Sequence, residues 1–343
     1  MKLLDVHDLQ FSFKTYAGEV QAVRGVSFSL NVGEALGIVG ESGCGKSVTA
    51  KSIVRLNPTR NGIYKSGTIM FDNKDILSLS KQEMQIIRAR DIRMIFQDPM
   101  TSLNPTMRVG RQIMEGFKVA YPNMKKEEAK KRTLDILYST GIPNTEERFK
   151  QYPHQFSGGM RQRAMIALAM VVKPKLLICD EPTTALDVTI QAQILDLIKE
   201  QQEKTKTGII LITHDLGVVA NIAKNIAVMY AGKIVEYGSA QDIFYNCMHP
   251  YTWGVLQSIP PKDADINKPL VPIKGTPPDL LKPPKGCSFT ARCPYAMKAC
   301  KEMPPPVYMA DENHSVACWR YHPNAPKIIN PITQREVQLC PTK

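Results

Sequence analysis

The chain has 343 residues, 43% hydrophobic and 22% charged, the profile of a globular protein large enough for more than one packed core. Its net charge of +12 is scattered with no run of five Lys/Arg, which argues against a dedicated nucleic-acid partner and leaves an anionic membrane surface open. Asp5 and Asp8 stand where a signal peptide would be apolar, and no apolar stretch reaches the roughly 18 residues needed to span a bilayer, so an intracellular chain is expected. Eight cysteines in that compartment point to metal or redox chemistry rather than to disulfides.

In chain order, residues 1–33 alternate apolar and polar side chains and read as antiparallel strands. Tyr16 and Phe13 are aromatic residues in this stretch, and either could stack on a nucleotide base or simply pack a strand. An apolar run at 35–39 has the length of a buried strand. It leads into Gly40-Glu41-Ser42-Gly43-Cys44-Gly45-Lys46-Ser47, and a helix-compatible stretch continues from Val48. Strand, glycine loop and helix together satisfy G-x-x-x-x-G-K-[ST], the phosphate-binding P-loop. Glycines allow successive N–H groups to converge on phosphate oxygens, and the helix start adds partial positive charge. Lys46 is then placed to reach the β- and γ-phosphates, and the Ser47 hydroxyl to ligate Mg²⁺.

Residues 67–71 and 92–96 read as further strands, with Ser80 and Glu83 forming a capping box for a helix between them. The second strand ends at Gln97, which opens a turn-rich loop to Pro105. A polar residue at the carboxyl end of a buried strand lies where open α/β sheets bind ligands, so Gln97 is a candidate contact to Mg²⁺ or water. Residues 106–173 are helical in pattern, clearest over 125–140. Within them Ser157-Gly158-Gly159-Met160 starts a helix that Pro174 ends, a helix N-terminus able to bind an anion or merely capped. The apolar run 176–179 then terminates in Asp180-Glu181. After a P-loop this is the Walker B pattern, with Asp180 on Mg²⁺ and Glu181 polarising the attacking water. Ala185-Leu186-Asp187 and a helix over about 190–203 follow, and a last buried strand, 208–213, ends at His214, within reach of a γ-phosphate.

P-loop, Gln97, Ser157-Gly-Gly, Asp180-Glu181, Ala185-Leu-Asp187 and His214, in that order, resemble the nucleotide-binding subunits of ABC transporters over roughly the first 250 residues. The resemblance implies an ATPase with catalytic Glu181, His214 and Gln97. It also implies a head-to-tail dimer, in which Ser157, Gly158, Gly159 and Met160 close over the partner's ATP, and it makes Asp187 a further nucleotide-binding residue. Phe156 and Met160 depart from the commonest Leu-Ser-Gly-Gly-Gln signature, but the glycine pair is kept. The implied architecture is an α/β P-loop NTPase core with an N-terminal antiparallel β subdomain. A helical subdomain is inserted at about 100–172 of an ATPase domain spanning 1–250, and a Pro/Cys-rich extension covers 251–343.

That extension holds 16 of the 25 prolines, which excludes long helices and suggests an extended, wrapping segment. His249-Pro-Tyr-Thr-Trp-Gly254, Gly275-Thr-Pro-Pro278, Gly286-Cys-Ser-Phe-Thr-Ala-Arg-Cys293 and the loop from Gln97 resemble the oligopeptide/dipeptide branch of importer ATPases. Peptide uptake through two separate membrane permease subunits follows from this resemblance. So do an extracellular peptide-binding protein, a second and different ATPase subunit, and a place on the cytoplasmic face of the membrane. Nickel or another small solute is the alternative cargo, and a soluble ABC ATPase acting on nucleic acid or ribosomes the alternative function. Cys287, Cys293, Cys300 and Cys318 form a four-thiol set in a segment poor in apolar residues, where a metal could supply folding energy. The residues leave an iron–sulfur cluster, zinc and free thiols open, and the resemblance implies [4Fe-4S]. Cys44, Cys179, Cys247 and Cys340 read as packing residues.

Overall fold

The computed structural model describes residues 1–97, 102–183, 188–259 and 272–337. An antiparallel sheet runs in the order β2-β1-β4-β5, from Gly18–Asn31, Lys2–Thr15, Gly62–Phe71 and Lys74–Asp75. β1 and β2 pair antiparallel within the 1–33 stretch. Register shifts interrupt their pairing between Val6 and Leu9, and Asp8 sits at φ 42°. An irregularity there breaks the period-two pattern while the hairpin itself continues.

The second sheet has the order β11-β12-β10-β9-β3-β8-β7-β6. Its centre is parallel: β9 (Asn225–Tyr230), β3 (Ala35–Val39), β8 (Gly208–Thr213), β7 (Leu176–Asp180) and β6 (Ile92–Ile95). β3, β7 and β8 are buried at every position, because parallel strands are covered on both faces and therefore read as continuous apolar runs. On one face Leu4, Leu9, Phe11 and Val26 of the antiparallel sheet close with Ile53 of the helix Lys46–Ile53 over Ile38 and Ile210. On the other face Leu211 and Leu177 meet Ile194, Val219 and Ile166 from the covering helices. Packing is close enough that a Cβ on Gly37 would stand 2.1 Å from Val219.

Helices Val109–Ala120, Lys126–Ser139, Thr145–Lys150 and Gly158–Met170 form the helical lobe within the 106–173 stretch. Ser80 and Glu83 form the capping box of Lys81–Arg90. No helix among the described residues is long and apolar enough to cross a membrane.

Beyond residue 250 the described helices are Pro250–Gln257 and Lys298–Glu302, with a 3-10 turn at Trp319–Tyr321. The extension also contributes β11 (Tyr308–Met309) and β12 (Ser315–Val316), and β12 pairs with β10 (Lys233–Ser239), so the tail covers the edge of the central sheet. Strands of two residues carry no periodicity, which is why the sequence does not announce them. Glu236 in β10 ties this junction: its carboxylate, 1% exposed, accepts the N–H groups of Met248 (2.6 Å) and His249 (2.9 Å) and lies 3.0 Å from His314 Nε2.

Burial opposes charge on His314, yet the hydrogen bond to Glu236 and the charges of Glu236, Asp242 and Asp311 outweigh it and raise the imidazole pKa. A pKa raised by folding gives stabilisation that is complete below the unfolded value of about 6.5 and is lost as pH rises through the folded value. Thermal melts should therefore show the wild type losing its margin over His314→Gln on going from acid to alkaline buffer; a margin independent of pH would contradict the linkage. Glu236→Ala leaves three buried donors unpaired and should cost about 3 kcal/mol, measured by denaturant unfolding.

Candidate functional site

The chain leaves β3 into the glycine loop, and the loop is pressed against neighbouring backbone. A Cβ on Gly40 would stand 2.2 Å from the Met229 carbonyl oxygen, and one on Gly45, at φ +103°, 2.4 Å from that of Ala22. Gly43, at φ +78°, has nothing within 4 Å of its Cβ position, so with the exposed Ser42 it forms the open crest of the loop. Cys44 is buried in the core, where burial raises its thiol pKa, and Val48 is half-buried against the same cluster. The helix Lys46–Ile53 starts at Gly45 with no side-chain cap and no acidic residue in its first turn, leaving its amino end free for an anion. Lys46, 5% exposed, turns its ammonium into the loop and donates to the carbonyls of Gly40 (2.7 Å) and Glu41 (3.0 Å).

Ser47 Oγ donates to Asp180 Oδ1 at 2.8 Å, joining the loop to the end of β7. Asp180 is 3% exposed; burial raises its pKa, against the Ser47 hydrogen bond and the charge of Lys51. A buried carboxylate held by one hydroxyl is undercompensated, and this oxygen pair fits a hard divalent cation such as Mg²⁺. Glu181 follows at φ 48°, a left-handed turn that re-aims its side chain. Its Oε2 accepts from Gln97 Nε2 at 2.8 Å, and its Oε1 stands 3.7 Å from His214 Nδ1. Residues from the ends of β6, β7 and β8 thus converge beside the loop at the end of β3.

Tyr16, in the β1–β2 turn, is fully exposed. The Phe13 ring is half-buried and packs edge-on against Phe11, with centroids 5.1 Å apart, so Tyr16 is the more open of the two aromatic candidates. Ser157 Oγ caps its helix by accepting from Met160 N at 3.3 Å. Ser157 and Gly158 are exposed, Gly159 and Met160 half-buried, and among the described residues no hydrogen bond joins them to the glycine loop. Asp187 and most of the loop from Gln97 to Thr101 lie outside the described residues, as does Cys340. Two contacts to the loop come from the extension: Tyr251 and Arg292, 210 and 251 positions away, both reach Glu41, a role the motifs that contain them do not reveal.

Cys287, Cys293, Cys300 and Cys318 line one small cavity with His249 and Arg320. The segment is tightly turned: Cys287 N and Thr290 Oγ1 both donate to the Cys300 carbonyl at 2.8 Å, and a Cβ on Gly286 would stand 2.1 Å from that oxygen. Burial raises the thiol pKa values of Cys287 and Cys318, and that of Cys293 to about 11. No three of these sulfurs lie within 4.8 Å of one another. Cys44, Cys179 and Cys247 are buried in the packing.

The comparisons with known proteins accord with this geometry. Residues 23–184 match the ABC transporter family, and residues 235–300 match the oligopeptide/dipeptide transporter C-terminal region. The chain is 57% identical over 330 residues to the oligopeptide transport ATP-binding protein OppD of Bacillus subtilis, covering 96% of this chain and 92% of that one. It is 56% identical to the dipeptide transport ATP-binding protein DppD of the same organism, covering 93% and 94%. Among solved structures, the dimeric, post-hydrolysis ATP-binding cassette MJ0796 bound to ADP and Pi superposes with a TM-score of 0.62 at 26% identity, over 69% of this chain and 98% of that one. The chain belongs to the ABC-transporter ATPases, in the branch that supplies the ATP-binding subunits of oligopeptide and dipeptide importers.

Gly45→Ala places a methyl group into the Ala22 carbonyl at a backbone angle that disfavours any side chain. Nucleotide titration should show ATP binding lost, with stability lowered by about 2 kcal/mol; unchanged affinity would contradict the crowding seen around the loop.

Proposed function

We propose that this chain hydrolyses ATP to drive peptide uptake, with Glu181 placing the water that attacks the γ-phosphate. The convergence of Gln97, Glu181 and His214 beside the Ser47–Asp180 pair carries this reading. The loop N–H groups and Lys46 would hold the β- and γ-phosphates, and Tyr16 would stack on the adenine. Ser47 and Asp180, with Gln97 alongside, would hold Mg²⁺, which neutralises charge developing on the phosphoryl oxygens. Glu181 accepts a hydrogen bond from the water and orients it for in-line attack, and the imidazole of His214 lies at the same carboxylate.

The exposed Ser157-Gly158 helix start would meet the phosphates of a partner's ATP, and Asp187 would be a further nucleotide-binding residue, in a dimer of two different ATPase subunits. A cleft of about 290 Å³ between β6 and the helix Gly158–Met170, lined by Leu56, Met94, Phe96, Met165 and Leu168 together with Arg88 and Arg93, would offer a mixed apolar and basic surface to a permease. Seated on two membrane permease subunits, the subunit would lie peripherally on the cytoplasmic face, and the permeases would receive peptide from an extracellular binding protein.

Cys287, Cys293, Cys300 and Cys318 would hold a [4Fe-4S] cluster. The donor chemistry supports it: four thiols lining one small cavity suit a tetrathiolate-bound group.

In the assembled transporter, Glu181→Gln should retain nucleotide binding and lower ATP turnover by at least about 100-fold; wild-type turnover and transport would remove Glu181 from this role. Anaerobically purified protein should carry about four iron atoms per chain and absorb in the visible. One zinc per chain without colour would replace the cluster by the zinc reading.

A further inference from the structure

We propose that the C-terminal extension holds the P-loop in its nucleotide-binding shape, with Arg292 and Tyr251 as positioning residues acting through Glu41. This rests on ATP binding at the P-loop and is independent of what the four thiols hold.

Glu41 occupies the first variable position of the loop, and the extension grips it twice. Its backbone N–H donates to Tyr251 Oη at 3.0 Å, and its Oε2 accepts from Arg292 at 2.7 Å. The carbonyl of the same residue accepts from Lys46 at 3.0 Å. Amide, carboxylate and carbonyl of one loop residue are therefore all held, two of them from more than 200 positions away.

Both gripping residues are themselves immobilised. Tyr251 is completely buried; its ring lies against Tyr230 and Phe289 at centroid distances of 4.7 and 5.5 Å. Its own N–H donates to His249 Nδ1 at 3.0 Å. The Arg292 side chain is 6% exposed. Besides Glu41 it donates to the carbonyls of Lys274 (3.0 Å) and Ile273 (3.2 Å) and to Tyr230 Oη (3.3 Å), and its guanidinium lies 5.8 Å from the Tyr230 ring centre. A guanidinium with its donors committed in this way cannot follow a moving loop; the loop is fixed to it.

Two effects on ATP follow. A loop already ordered does not lose that conformational freedom on binding, so affinity rises. The Glu41 carboxylate would also repel a polyphosphate arriving on the same loop, and the Arg292 charge at 2.7 Å cancels that repulsion. Both effects act on nucleotide binding and leave the water-activating groups at Glu181 untouched.

The test uses the full-length subunit for ATP affinity and the assembled transporter for turnover. Arg292→Ala should raise the Kd and KM for ATP about tenfold, the scale of one charge-assisted hydrogen bond, with kcat within about twofold. Arg292→Lys, which keeps the charge, should recover part of the loss. Combined with Glu41→Ala, Arg292→Ala should cost almost nothing further, because its route to the loop is already gone. Equal losses in both backgrounds, or a fall in kcat at unchanged KM, would overturn the proposal and leave Arg292 a general support of the fold. Should Arg292→Ala fail to fold, Tyr251→Phe removes only the hydroxyl bonded to Glu41 N and should weaken ATP binding about threefold; unchanged affinity there overturns the proposal equally. A wild-type chain that binds no ATP would instead remove the nucleotide reading itself.

Discussion

The register of the parallel strands decides where the chemistry of this molecule sits. Val39 lies opposite Thr213, Asp180 opposite Ile212, and Ile95 opposite Cys179, so β3, β8, β7 and β6 end almost level. Gly40, His214, Glu181 and Gln97 are the residues that step off those ends. A one-residue slip in any pair would send the following side chain to the opposite face and part Ser47 from Asp180. Slippage is prevented by burial on both faces: Ile38 and Ile210 belong to the core under the antiparallel sheet, and Leu177 and Leu211 to the core under the helices. The hydrophobic layers thus fix the register that brings these residues together.

Charge is added to that frame sparingly. Asp180 is buried with a hydroxyl as its hydrogen-bond partner and lysines nearby, a state that a divalent cation would relieve. Glu236, by contrast, is a buried carboxylate whose needs are met by two backbone N–H groups and His314, and it joins structure to structure. The contrast separates a site awaiting a ligand from one already complete. It also explains why the extension behaves as part of the central unit. β12 hydrogen-bonds to β10, Glu236 holds residues 248 and 249, and the aromatic group of Tyr230, Tyr251 and Phe289 packs the thiol-bearing segment against the P-loop.

Much of the site was legible because its elements are local. A glycine loop between a strand and a helix, two carboxylates after an apolar run, and a Ser-Gly-Gly helix start are each defined by a few consecutive residues. Their order along the chain identifies how they combine. Legibility failed where a role depends on neighbours distant in sequence. Phe13 and Tyr16 are equivalent in the sequence, and only the structure shows Phe13 half-buried against Phe11 while Tyr16 stands exposed. The hairpin β1–β2 is legible over 1–33, but not the irregularity at Asp8 that interrupts its alternation. β11 and β12 are too short to have a period at all.

By itself the sequence determined the fold class, the phosphate loop, the acidic pair after β7, the helical lobe and the four-thiol set, because each rests on short-range backbone preference or residue chemistry. Tertiary structure alone decided which residues meet: Gln97 with Glu181, Ser47 with Asp180, and Glu236 with His314. It also made the proline-rich tail a neighbour of the P-loop through Tyr251 and Arg292. Such contacts arise from packing two cores around one sheet, and no pattern of consecutive residues encodes a hydrogen bond closed over 210 or 251 positions.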